Sequence, residues 1–73
     1  MKSQTEFEAE WSSYEWLLIG DLERGDMEQF NHRLLRMRST LATLGCNKHY
    51  TKKWIDEGVA DLHEYISLRR KVN

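Results

Sequence analysis

The chain has no proline, a single cysteine and only four glycines, Gly20, Gly25, Gly45 and Gly58. Each scarcity excludes something. One thiol cannot close an intrachain disulfide, so Cys46 reads as a reduced cysteine and the chain as a protein of a reducing compartment, the cytoplasm. Without proline, and with glycine this sparse, little interrupts a helix, and the many Glu, Leu, Arg and Lys residues favour helix throughout. No apolar run approaches the roughly 18 residues that cross a bilayer, and Lys2 followed by Glu6, Glu8 and Glu10 is unlike the start of a signal peptide, so no membrane role is expected. Residues 1–73 form one domain, near the lower limit at which a single core holds a fold unaided. Close helix packing, and association with a second copy, are the routes left to it.

Apolar spacing defines three helices, at about residues 4–24, 27–44 and 50–70. In the first, Phe7, Trp11, Tyr14, Leu18 and Leu22 lie within about 40° of a common line at the helical twist. Trp16 falls about 160° from that line, with Leu17 and Ile19 about 100° to either side of it. Ser3 and Thr5, each with a glutamate three residues on, have the spacing of a capping box. Gly25 supplies a stop, and Asp26 with Gln29 starts the second helix. There Met27, Phe30, Leu34, Met37, Leu41 and Leu44 make a heptad seam, while Leu35 and Ala42 form a weaker second stripe. Gly45 closes that helix, and Cys46-Asn47-Lys48-His49 reads as a connection short enough for antiparallel neighbours. Ile55, Val59, Leu62 and Ile66 are the third seam, widened by Trp54 and Tyr65, with Gly58 a site of close helix approach. The fold class is therefore all-α, an antiparallel three-helix bundle that dimerisation can complete.

Net charge is −1, but its distribution is uneven. Residues 1–28 carry eight acids against two bases, a balance of −6, and residues 29–73 carry nine bases against four acids, a balance of +5. Either the halves neutralise each other in the fold, with Glu15 level with Arg33 to Arg38, or the basic half has an acidic partner.

Specific chemistries find little support. Leu44-Gly45-Cys46-Asn47, followed by Trp54-Ile55, resembles the turn and recognition helix of phage-type repressors. That resemblance implies duplex DNA contacted by Lys48, His49, Lys52 and Lys53. It covers about a dozen residues and departs from the pattern at Thr51, where a branched apolar residue is expected, and at bulky Leu41, where a small one is. Cys46 and His49 form a Cys-x-x-His pair that His32 or His63 would have to complete, so a zinc site has too few ligands placed by spacing. Glu57, Asp61 and Glu64 share a helix face but lack any nucleophile or phosphate-loop motif beside them, and no catalytic residue, cofactor or small-molecule substrate is expected. Arg69-Arg70-Lys71 suits the negative end of a helix dipole.

What remains is an aromatic surplus, three tryptophans and three tyrosines, residue types enriched at the energetic centres of interfaces. Trp11 and Trp54 fit a bundle core, whereas Trp16 points away from it. The expected function is a non-enzymatic protein-binding module, a regulator, inhibitor, adaptor or co-chaperone. Its contact residues are expected to be Trp16, Leu17, Ile19 and Leu35, engaging a protein partner or its own copy as a homo-oligomer. The alternative is a DNA-binding regulator built on the Gly45 turn.

Overall fold

A computed structural model describes the backbone of residues 2–72 and the side chains of residues 4–70. It contains three helices, α1 (Lys2–Arg24), α2 (Met27–Thr43) and α3 (Lys48–Val72), each packed on the other two. Because α1 already runs from Lys2, Thr5 lies inside it and caps nothing. The side chain of Ser3 lies outside the described residues.

Both connections are helix stops built on glycine. Gly25 has φ of 72°, and Gly45 has φ of 84°, a left-handed conformation that a Cβ makes costly. At the first, Gly25 N donates to Leu22 O at 3.1 Å and Asp26 N donates to Asp21 O at 2.8 Å. The second repeats the pattern, with Gly45 N on Ala42 O at 3.0 Å and Cys46 N on Leu41 O at 3.0 Å. These are Schellman motifs, and each satisfies carbonyls that a helix end would leave unpaired. Asp26 then caps α2 at once, its side chain accepting from Gln29 N.

The start of α3 differs from the sequence expectation. Asn47 Oδ1 accepts from His49 N at 2.9 Å and from Tyr50 N at 3.2 Å, which satisfies two of the free donors at the new helix end. Lys48 and His49 therefore belong to the first turn of α3 and not to a connection.

Two short turns make α2 antiparallel to both neighbours, so α1 and α3 run parallel. Their register is fixed by a constant offset of 47 residues: Phe7 packs on Trp54 (54 less 7) and Trp11 on Gly58 (58 less 11). Glu23 and Arg69, paired at 3.5 Å near the other end, keep nearly the same offset. Along α2 and α3 the sense is opposite, with Phe30 near His63 at a ring separation of 6.4 Å.

The three seams meet in one continuous core. Leu18, Phe30, Met37 and Leu41 are fully buried, and each contributes about 1.5–3 kcal/mol by leaving water. Ile55, Leu62 and Ile66 close the core from α3, while Phe7, Trp11, Tyr14, Leu34 and Val59 pack around its edge. Met27 and Leu44, at the two ends of the α2 seam, remain exposed. The result is a rod of 42 × 23 × 18 Å. Among the described residues no helix is long and apolar enough to cross a membrane.

Candidate protein-binding site

The offset between α1 and α3 leaves a groove between them. Trp11 lies on Gly58 so closely that a Cβ there would stand 2.5 Å from the indole ring. The indole N–H donates to Glu15 Oε2 at 2.9 Å, which fixes the ring in that position. One turn further along, Trp16, Ile19, Asp61, Leu62 and Tyr65 continue the walls. Ile19 and Leu62 form the buried floor, and Trp16 and Tyr65 stand at the lip.

Trp16 is 72% exposed, more than any other large apolar side chain described. An indole in water leaves its large apolar surface unused, and tryptophans so placed are typical anchors of interfaces. The acids of the groove, Glu15 and Asp61, stand beside it without a lysine or arginine among the lining residues.

The four residues expected to make contact do not share a surface. Ile19 is only 5% exposed, because α3 packs on that flank of α1, and it reaches the Trp16 groove as part of its buried floor and not as an open surface. Leu17 is half exposed, on the other flank of Trp16. Leu35, 62% exposed, lies on α2 and lines a second groove, between α2 and α3, with Leu34, Arg38, Lys52, Ile55 and Asp56. Of the aromatic residues left out of that set, Tyr65 belongs to the Trp16 groove. The 47-residue offset places Tyr65 level with Leu18, one residue from Ile19, which helix periodicity alone does not reveal.

The charge expectation also changes. Arg33 does not meet Glu15. Its Nε donates to Asp21 Oδ2 at 2.7 Å, while Arg24 Nη2 donates to Asp21 Oδ1 at 2.6 Å. Asp21 is fully buried, and the two guanidinium groups engage both of its oxygens, the condition under which a buried carboxylate is tolerated. Among the described residues only two ion pairs join different helices, Asp21–Arg33 and Glu23–Arg69.

The residues of the DNA alternative, Lys48, His49, Lys52 and Lys53, are all exposed on the first two turns of α3. The elements carrying them are laid side by side, as the Phe30–His63 approach shows, whereas a helix-turn-helix crosses its helices at about 90–120°. Thr51 is buried, with its Oγ1 unpartnered. The Cys-x-x-His pair is split: Cys46 is buried beside Leu41, and His49 is exposed edge-on to Tyr50. Among the described residues no three His, Cys, Asp or Glu side chains are grouped to hold a metal. Glu57, Asp61 and Glu64 are exposed on α3, and Arg69 lies over the Tyr65 ring at 5.6 Å. The side chain of Lys71 lies outside the described residues. No family model, curated protein or solved structure matches this chain.

Proposed function

We propose that the chain is a small protein-binding module with no catalytic role, acting as a regulator, inhibitor, adaptor or co-chaperone through the groove between α1 and α3. The observation that carries this reading is Trp16, exposed at the lip of a groove whose walls are already apolar. A partner side chain entering there meets Ile19 and Leu62 below and the Trp16 and Tyr65 rings at the sides, the composition of an interface centre. Since Trp16 supports little of the core, Trp16→Ala is expected to keep its helicity and thermal midpoint by circular dichroism while losing at least about tenfold in affinity for the captured partner, the loss of one anchor residue. Capture from extract of the source cells by tagged wild type and mutant tests it. Equal capture by both would remove Trp16 from the site.

The second reading, duplex DNA bound through Lys48, His49, Lys52 and Lys53, draws on the exposure of those four residues together. It requires salt-sensitive duplex binding that Lys52→Glu with Lys53→Glu abolishes. A gel-shift titration at low salt without a shifted band eliminates it.

A further inference from the structure

The two most exposed large apolar side chains described, Trp16 and Leu35, stand in different grooves on either side of α3. The grooves have opposite charge. Glu15 and Asp61 are the only charged residues lining the first. Arg38, Lys48 and Lys52 line the second and its continuation toward the Gly45 turn, where the one acid, Asp56, is already paired with Lys52 at 3.0 Å. Each groove thus offers an apolar knob and a set of charges that the other lacks.

We propose that the α1–α3 groove receives the α2–α3 face of a second copy of this chain, with Trp16 of one copy against Leu35 of the next and Glu15 and Asp61 against Arg38 and Lys48. The proposal rests on the reading of the Trp16 groove as a protein-binding site and names its occupant. Contact between unlike surfaces is heterologous: every copy joined through one groove leaves the other free, so assembly continues to a ring or a filament and does not stop at a two-fold dimer. Burying opposed charges gives attraction that falls with ionic strength.

The test is a mixing experiment by light scattering and sedimentation. Wild type is expected to grow beyond a dimer with concentration at low salt, and to lose about tenfold or more in association when salt is raised to roughly 0.5 M. Trp16→Ala and Leu35→Asp, each damaging one groove, are each expected to be monomeric alone. Mixed, they are expected to form a dimer that grows no further, because the intact groove of each fits the other. Should Trp16→Ala lose its helicity, Asp61→Lys, at an exposed position of the same groove, takes its place. Wild type that stays monomeric at low salt and high concentration overturns the proposal, as does a dimer that Leu35→Asp leaves intact, or mixed mutants that stay monomeric. In each of these cases, Trp16-dependent capture of another protein would leave the broader reading standing.

Discussion

Asp21 shows how much a single residue constrains this fold. A fully buried carboxylate is held by one guanidinium that is itself mostly covered, Arg33, and by another that is largely solvated, Arg24. Arg33→Met therefore leaves the buried charge with a single partner in water, and the expected loss is about 3 kcal/mol or more, the usual consequence of breaking a buried pair from one side. Arg24→Met is expected to cost less, about 1 kcal/mol, since the Arg24 guanidinium is largely solvated and Arg33 still holds the buried carboxylate. Replacing both buried partners, Asp21→Leu with Arg33→Met, is expected to recover most of the loss, because no charge remains stranded. Urea unfolding of the three variants measures these differences, and equal midpoints for Arg33→Met and Arg24→Met would refute the assignment. Asp21 was open to recognition in the sequence, as it lies only about 60° from Leu18 at the helical twist. It was read instead as one more acid in a negative half, because periodicity marks apolar residues and is silent about a charge whose partner is on another helix.

Between elements, Trp11 packs directly over Gly58. Glycine inside a helix costs about 1 kcal/mol relative to alanine, and here the missing Cβ is what admits the indole. Gly58→Ala gains that propensity and must push the ring away, whereas Gly58→Val adds bulk and gains less propensity. The expected result is that Gly58→Ala lowers stability by about 1 kcal/mol and Gly58→Val by about 2–3 kcal/mol, the range for overpacking. Both are expected to shift tryptophan emission as the bond from the indole to Glu15 is lost. Stabilisation by Gly58→Ala would mean that the ring moves freely. The same level explains what could be read in advance and what could not. Glycine stops and the 3–4 alternation of Phe30, Leu34, Met37 and Leu41 placed three helices, since these signals are local. The first turn of α3 was misplaced because Asn47, the capping residue, follows a cysteine that looked like open loop. That Ile19 is a buried groove floor is not legible in its angle to the α1 seam, which does not say which side a third helix takes. The groove itself exists only through the offset between α1 and α3.

At the scale of the whole molecule, the question is whether so long a rod unfolds in parts. Its two ends differ in character. Near the Gly45 turn, Phe7 stacks on Trp11 and meets Trp54, which stacks in turn on Tyr50, an aromatic chain at the rim of the core. Near the Gly25 turn, the packing is Leu18, Leu22, Phe30 and Ile66 around the Asp21 ion pairs. One buried cluster nevertheless runs the full length and ends in Cys46, whose burial against Leu41 follows from its place after Gly45 in the Schellman motif. A small helical domain with a single continuous core is expected to unfold in one cooperative step. Cys46 provides the check, since its thiol is largely covered in the fold and becomes fully accessible to a reagent as the Gly45 end opens. Across a urea series, the fraction of Cys46 labelled in a short pulse is expected to follow the loss of helix measured by circular dichroism, with one midpoint for both. Labelling that begins at lower urea would mean that the end carrying the α2–α3 turn opens first. The Leu35 groove would then lose its shape before the Trp16 groove does. Coincident midpoints mean that both faces of α3 are supported by the same cooperative core.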